Sequence, residues 1–168
     1  MTNAPLAGHR LETMKPLPYV VACCCMLAAP PVRAQTPEPD VLAVIRRVFD
    51  GMRAADSAMA RSAFDATARL VSVSDSAGIP RVSIADVDRF LAAVGRPRDE
   101  VWDERIWDTE VRVDGGLASV WTKYAFYRGE QFSHCGVDVF ELVRRPDGWK
   151  IVHLADTRRT TNCWTPPK

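Results

Sequence analysis

The sequence predicts an α+β domain in which three N-terminal helices pack on a curved, mainly antiparallel sheet. Apolar residues first recur with the 3.6-residue period of helices, and from about residue 104 they alternate with polar residues, as in strands. Three glycine-containing joints, at residues 114–116, 128–130 and 146–148, divide the alternating region into four strands connected as hairpins. Helices followed by a meander favour a sheet that is covered by helices on one side.

The first 34 residues differ from the rest and are typical of a secretion leader. Arg10 and Lys15 precede an apolar run at residues 19–29, and the small residue Ala34 stands at the expected cleavage position. The run has roughly a dozen residues, whereas about 20 are needed to span a bilayer as a helix. We therefore expect cleavage near Ala34, export to the periplasm or the medium, and no stable membrane span.

Two details of the leader leave alternatives open. Met14 is an alternative start, because Met14 and Lys15 open a leader of ordinary proportions. Residues 20–23 also resemble a lipoprotein cleavage site, although the apolar run continues beyond them. The adjacent cysteines 23–25 lie inside the apolar run, so they would be removed with the leader and are not predicted metal ligands.

The helical region begins after a short linker, residues 35–39. Asp40 suits the N-cap position, and the amphipathic spacing that follows it involves Val41, Val44, Ile45, Val48, Phe49 and Met52. A break at residues 55–56 precedes a second short helix over residues 59–64. The β-branched run at residues 68–73 predicts a first strand.

A third helix is predicted after Ser83–Asp86, which resembles a capping box. Its apolar side would contain Ile84, Val87, Leu91 and Val94, and Gly95 would end it. The four strands of the meander follow: Ile106–Val113, Leu117–Tyr127, Phe132–Arg144 and Trp149–Arg158.

This order of elements, ending in the strand Gly148–Arg158, resembles the nuclear transport factor 2-like (SnoaL-like) superfamily. The resemblance covers residues 40–160 and leaves residues 161–168 as a C-terminal tail. It implies a cone-shaped domain with helices on a curved sheet. The superfamily includes ketosteroid isomerase-like enzymes, dehydratases, polyketide cyclases and non-catalytic binding domains, so the resemblance implies no single activity.

Side-chain alternation gives the predicted sheet two faces, provided that no strand contains a bulge. The more apolar face is expected to lie under the helices and carries Trp107, Thr109, Val111, Val113, Val120, Thr122, Tyr124, Phe126, Cys135, Val137, Val139, Val152, Leu154, Asp156 and Arg158. The other face is mixed and is expected to contact a second sheet or a dimer partner; it carries Asp108, Glu110, Arg112, Trp121, Lys123, His134, Asp138, Phe140, Trp149, Ile151 and His153.

The apolar face offers one candidate site. Tyr124, Asp156 and Arg158 would point into a cavity whose wall also includes Trp107 and Thr122. A tyrosine hydroxyl beside a carboxylate in a dry pocket can stabilise an enolate or polarise a carbonyl. The alternative is structural: Asp156 and Arg158 form an ion pair at the strand end, and the Tyr124 ring fills the core.

The mixed face offers a second candidate site. His134, Asp138 and His153 come within cross-strand reach, because pairing through the last hairpin places Phe140 opposite His153. An aspartate that orients a histidine makes a general base. Structural histidines at a dimer seam explain the same pattern. We predict no metal here, because the two histidines lack the spacing of zinc motifs.

The charges, cysteines and missing motifs of the chain after the leader reduce the number of functional classes that fit the sequence. Removing the leader leaves 19 Lys and Arg against 20 Asp and Glu, so no basic face is expected and nucleic-acid binding is disfavoured. Cys135 and Cys163 remain, either as one disulfide or as two thiols. Phosphate-binding loops, nucleophile elbows and zinc-helix motifs are missing from the sequence, so we predict no cofactor.

Three functional hypotheses follow from these features. The first is an exported homodimer that binds a small hydrophobic molecule between helices and sheet. The second is a cofactor-independent isomerase, dehydratase or cyclase that uses Tyr124 with Asp156, or His153 with Asp138. The third is a protein-interaction domain that uses the exposed face of the sheet.

Overall fold

The computed structural model describes residues 38–76 and 78–165. The predicted leader, its cleavage position near Ala34, the alternative start at Met14 and most of the linker lie outside the described residues. The described elements are α1 (Glu38–Ala54), α2 (Ser57–Arg61), β1 (Phe64–Ser76), β2 (Ile79–Asp86), α3 (Val87–Val94), β3 (Trp102–Asp114), β4 (Leu117–Arg128), β5 (Gln131–Arg145) and β6 (Gly148–Arg158).

The first two helices form as predicted, with shifted ends. Helix α1 buries the apolar side of its predicted spacing, but it begins two residues before Asp40. It ends at Ala54, and Asp56 then caps α2, because its carboxylate accepts hydrogen bonds from the backbone N–H groups of Ala58 and Met59, both at 2.9 Å. A methyl group at Gly51 would lie 2.7 Å from the nitrogen of Ala60, so only glycine lets the two helices approach so closely.

The segment before α3 corrects one prediction. Ile79–Asp86 forms strand β2 and pairs with β1, so the helix does not begin at Ser83. Asp86 alone is the N-cap, accepting from the backbone N–H of Arg89 at 2.8 Å. Ile84 is 71% exposed on β2 and is not part of the apolar side of the helix. Pairing with β1 satisfies the backbone groups of this segment, and the helix starts only where that pairing ends.

The sheet has six strands in the order β2-β1-β6-β5-β4-β3. The β1–β6 pair is parallel and the other pairs are antiparallel, which confirms the mainly antiparallel sheet. The four predicted strands of the meander are present, and each extends at least as far as predicted. No described helix is both long and apolar enough to cross a membrane.

Three bulges within the meander β3–β6 decide which of its side chains face the helices. On β5, Phe126 pairs with His134 but Tyr127 pairs with Phe132, so Ser133 is an extra residue. On β6, Val152 is extra in the same way, between the pairs Glu141–His153 and Leu142–Ile151. On β3, the pairing shifts between Trp107 and Glu110, where Asp108 has a φ of 50°.

The bulges overturn part of the predicted face assignment. Because directly paired residues share a face, Phe140, Asp138 and His134 lie on the helix side with Val120, Thr122 and Phe126. Cys135, Val137 and Val139 therefore face the other way, and the prediction for β5 was wrong. Trp149 and Ile151 also turn to the helix side, where both are buried.

The inner face of the sheet has two halves. In the filled half, α1 packs directly on the strands, and Phe49 meets Phe140 edge-on with ring centroids 6.2 Å apart. The filled half comprises Val120, Phe140, Leu142, Trp149 and Ile151, which are all buried. In the cavity half the helices stand away from the sheet, and polar side chains replace apolar ones: Glu104, Tyr124, His134, Asp138 and Asp156.

The C-terminal segment returns along the outer side of the sheet. Arg159 exchanges two backbone hydrogen bonds with Cys135, at 2.9 and 3.0 Å, and Cys163 forms a disulfide with the same cysteine. The Trp164 ring lies against two cations, with the Arg159 guanidinium 4.1 Å and the Lys123 ammonium 5.0 Å from its centroid. These contacts fix the segment after β6 against β4 and β5.

Candidate functional site

A cavity of about 540 Å³ lies between the helices and the cavity half of the sheet. This volume lies within the range of pockets that hold drug-sized molecules. Much of its wall is apolar and comes from both layers of the domain, namely Val48, Phe49, Met52, Leu70, Phe90, Phe126 and Leu154. Trp102 completes one side, with its ring edge-on to Phe126 at 5.9 Å.

Glu104 brings a carboxyl group into this apolar wall. It lies on β3 opposite Phe126, on the inner face between Trp102 and Ile106. Burial raises the pKa of Glu104 from 4.5 to about 7, and the nearby Asp156 and Asp103 charges act in the same direction. A carboxyl group with such a pKa exchanges its proton near neutral pH.

Asp138 lies beside Glu104 and is 3% exposed. Its pKa is raised well above the ordinary value, first by burial and then by the charges of Glu104 and Asp156. No donor from the described residues reaches its Oδ2 atom. A proton carried by one of the two carboxyl groups can satisfy the other, so the pair behaves as one proton-sharing unit.

Asp156, the third carboxyl group, has a different environment. It accepts a hydrogen bond from Arg158 Nε at 2.6 Å and another from the hydroxyl of Ser72. The Tyr124 hydroxyl lies 3.5 Å from its Oδ2. These donors hold the carboxyl group of Asp156 in a fixed position on the cavity wall. The cavity thus combines a proton-sharing pair with a third carboxyl group that accepts hydrogen bonds from Ser72 and Arg158.

Tyr124 is held in place by the backbone of β6. Its ring crosses β5 at Gly136, and its hydroxyl donates to the carbonyl of Thr157 at 2.9 Å. A methyl group at Gly136 would lie 1.7 Å from that carbonyl oxygen and 2.8 Å from the tyrosine ring, so only glycine permits this path. Burial, followed by the Asp156 and Asp138 charges, raises the pKa of Tyr124, which remains a neutral phenol.

Among residues 38–76 and 78–165, His134 is the one histidine on the cavity wall. Its ring lies 5.0 Å from that of Phe126 and 5.7 Å from that of Tyr124. Burial lowers the pKa of His134 to about 4, and the positive charges of Arg158 and Arg128 contribute. It is therefore a neutral imidazole at physiological pH.

The structure brings together some of the predicted site residues. Tyr124, Asp138, Asp156 and Arg158 all line the cavity. The predicted pairing of His153 with Asp138 does not occur. His153 stays on the outer side, where it lies opposite Glu141, one residue away from the predicted register, with its Nδ1 atom 3.6 Å from Glu141 Oε2. Asp138 instead lies on the inner face, because the Ser133 bulge reverses the faces of β5.

Two predicted pocket residues do not line the cavity. Trp107 pairs with Lys123 on the outer side, just before the β3 bulge. Thr122 is fully buried, and its hydroxyl lies 2.7 Å from that of Thr109 and donates to the Trp107 carbonyl at 3.1 Å. It therefore fixes the bulge and does not contact a ligand directly.

Sequence reasoning missed Glu104 and Ser72. The predicted strand began at Ile106, so the inward position two residues earlier was never placed on a face. Extending the alternation back from Ile106 would have placed Glu104 with Asp108 on the mixed face, because the β3 bulge between Trp107 and Glu110 reverses the faces before it. Nothing in the sequence marks Ser72, because its partner Asp156 lies 84 residues away across a parallel pair.

No metal centre is present in the part of the chain that the structure describes. Within residues 38–76 and 78–165, no three His, Cys, Asp or Glu side chains are placed to hold a metal ion together.

The sheet, the helices and the cavity between them define a nuclear transport factor 2-like domain. The chain belongs to the family described as "Putative lumazine-binding", whose model matches residues 37–155. No curated protein matches the sequence.

Solved structures show the same fold. An NTF2-like protein of unknown function from Shewanella baltica OS155 has a TM-score of 0.57 at 16% identity, covering 74% of this chain and 94% of that chain. An NTF2-like protein with a cystatin-like fold from Novosphingobium aromaticivorans has a TM-score of 0.60 at 11% identity, covering 74% and 83%. A "putative dehydratase" of the NTF2-like family from Streptomyces avermitilis has a TM-score of 0.54 at 19% identity, covering 75% and 100%.

Proposed function

We propose that this domain binds one small, flat and mainly apolar molecule in the cavity between helices and sheet. The observation that carries the proposal is the cavity of about 540 Å³ with aromatic walls and a few polar groups on the sheet side. Apolar pockets with a small number of convergent polar groups are typical of small-molecule sites.

The polar groups suit a ligand that carries a carbonyl group beside an N–H. In the Glu104–Asp138 pair, the protonated carboxyl group donates and the other accepts. A lactam edge offers the complementary acceptor and donor. The family description makes lumazine, a flat bicyclic heterocycle with such edges, the first ligand to test.

The test compares two substitutions on neighbouring positions of α3. Ala93 lines the cavity and Ala92 is exposed outside it, so Ala93→Phe fills the cavity while Ala92→Phe places the same ring in solvent. We expect Trp102 fluorescence to report saturable binding of lumazine or a related heterocycle. Ala93→Phe should weaken binding at least tenfold (about 1.4 kcal/mol) and Ala92→Phe should leave it unchanged. Equal binding by both variants would refute the cavity as the site.

A second function, proton transfer on a bound carbonyl compound, is favoured by the Glu104 pKa of about 7. A general base is most effective when its pKa lies near the working pH. In this mechanism Glu104 removes a proton α to the carbonyl, and protonated Asp138 donates a hydrogen bond to the developing enolate oxygen.

Deuterium exchange at the α-carbon of a bound cyclic ketone tests this second function. We expect exchange to rise with pH through about 7, as Glu104 ionises, and to fall at least a hundredfold in Glu104→Gln. Glu110→Gln, on the exposed outer side of the same strand, is the control. Ligand binding without exchange would leave the domain as a binding protein.

We also propose that the chain is exported and forms a homodimer. The leader-like residues 1–34 support export, and the Cys135–Cys163 disulfide is typical of oxidising compartments. Exposed Leu117 and Trp121 on the outer side of the sheet support a partner there. Expression of the full chain in a Gram-negative host should give periplasmic protein that begins near Gln35 and has twice the chain mass in light scattering. An intact N-terminus in the cytoplasm would contradict export, and a monomer would contradict the dimer.

A further inference from the structure

We infer that the ligand is an organic acid whose anionic group binds three arginines at the open end of the cavity. These are Arg89, Arg96 and Arg128, here called the arginine rim. The inference deepens the proposed binding function and rests on it.

The rim brings together residues from two layers of the fold. Arg89 is on α3, and Arg96 lies two residues beyond the end of that helix, just after its C-cap residue Gly95. Arg128 ends β4 and pairs with Trp102 across the sheet. All three line the cavity and all three are exposed, so they lie where the cavity meets solvent.

The three rim guanidinium groups have no acidic partner among residues 38–76 and 78–165. No carboxylate lies within 4 Å of them, although other arginines, such as Arg145 with Asp65 and Arg158 with Asp156, are paired. Asp99 and Glu100 line a neighbouring surface pocket together with Arg96 and Arg128. Their carboxylates nevertheless lie more than 4 Å from the rim guanidinium groups. Three like charges around one opening repel each other, and a bound anion relieves that repulsion.

The interior of the cavity does not cancel the positive charge of the rim. Asp156 is already paired with Arg158. Glu104 and Asp138 share a proton, so together they contribute less than two negative charges near neutral pH. Arg128 is close enough to His134 to disfavour the protonated imidazole, which shows that the field of the rim extends into the cavity.

The apolar wall of the cavity determines the chemical character of the rest of the ligand. Phe90 on α3 follows Arg89 in the chain, Phe126 on β4 precedes Arg128 by two residues, and both aromatic side chains line the cavity. An acid with a flat hydrocarbon body would hold its carboxylate between guanidinium groups while its rings contact these aromatic side chains. A neutral molecule of the same shape would use only the apolar wall.

The test uses 2-naphthoate and 2-naphthalenemethanol, which share a ring system and differ in charge. We expect wild-type mature protein to bind the acid at least tenfold more tightly than the alcohol, and the preference to fall as salt is raised. Arg128→Gln and Arg96→Gln should each reduce the preference at least threefold and leave affinity for the alcohol unchanged. Arg112→Gln, an exposed arginine on the outer side of β3, should behave as wild type.

The outcomes separate this inference from the function on which it rests. Equal affinity for acid and alcohol, with both blocked by Ala93→Phe, would overturn the inference and leave the binding function intact. Binding of neither probe would overturn both. Sedimentation with phosphatidylglycerol vesicles that Arg128→Gln abolishes would assign the rim to a membrane surface and would also overturn the inference.

Discussion

The two halves of the inner sheet face are built on the same strands and have opposite characters. On β5, Phe140 is completely buried against α1, and Asp138, two residues earlier on the same face, is a buried carboxyl group whose Oδ2 atom accepts no hydrogen bond from another group in residues 38–76 and 78–165. On β6, Ile151 belongs to the filled half and Asp156 to the cavity half. Large buried apolar side chains are concentrated at one end of the inner face and ionisable side chains at the other, within a few residues of each other.

The difference has an energetic origin. Burying a large apolar side chain stabilises a fold by about 2 to 3 kcal/mol, and burying a carboxyl group destabilises its charged form by amounts of similar size. The apolar burial in the filled half therefore offsets the free-energy cost of desolvating the carboxyl groups in the cavity half. Removing a large apolar side chain from the filled half and removing the buried charge of Glu104 from the cavity half are expected to change stability in opposite directions.

The largest effect is expected in the filled half, for Phe140→Ala. The change leaves a void against Phe49 in a closely packed core, so the free energy of unfolding should fall by about 3 to 5 kcal/mol in urea denaturation. Phe132→Ala, at a side chain that is 41% exposed, is the matched control and should lose less than about 1 kcal/mol. Similar losses for both would show that the filled half is not the stabilising region.

A smaller effect of opposite sign is expected at Glu104. Between pH 4.5 and about 7 the folded state holds a proton that the unfolded state has released. Stability from this group is thus fully present below pH 4.5 and decreases as pH rises through 7, by about 3 kcal/mol. Glu104→Gln should flatten this dependence and exceed wild type in stability at pH 8. Urea midpoints measured from pH 4.5 to 8 check this, with Glu110→Gln as the control; a wild-type midpoint that rises with pH would contradict it.

The smallest effect is expected for Ser72→Ala. The substitution removes the hydroxyl that donates to Asp156 but leaves the Arg158 contact, so we expect a loss of about 1 to 2 kcal/mol. Ser83→Ala is the matched control: Ser83 also lines the cavity, and its side chain makes no hydrogen bond to another described residue. The melting temperatures of both variants are compared. Equal values would show that the hydrogen bond from Ser72 to Asp156 does not contribute to stability.

The sequence predicted the secondary-structure elements more accurately than it predicted the side of the sheet to which each side chain points. Hairpin signals and alternation are local, so the four strands of the meander were found within a few residues of their ends. Strand β2 was missed because Ser83–Asp86 has the composition of a helix cap, whereas pairing with β1, a tertiary interaction, decides its conformation.

The candidate site was only half predictable for a related reason. Tyr124 lies on β4, and Asp156 and Arg158 lie on the part of β6 after the Val152 bulge, where the observed alternation agrees with the predicted one, so alternation placed them in the cavity. Asp138 and His134 follow the Ser133 bulge, and alternation placed them on the wrong face. A bulge depends on how two strands meet, and the side chain of Ser133 alone gives no sign of it.

The Ser133 bulge also restricts how this hairpin can change in length. Removing that one residue would put β5 out of phase, turning Asp138 and His134 to the solvent side and directing Cys135 away from Cys163. Adding or removing two residues would preserve the phase. Insertions or deletions near the β4–β5 turn that preserve the fold should thus change the length of the chain by an even number of residues. No single substitution can reveal this requirement, because a substitution leaves the length unchanged.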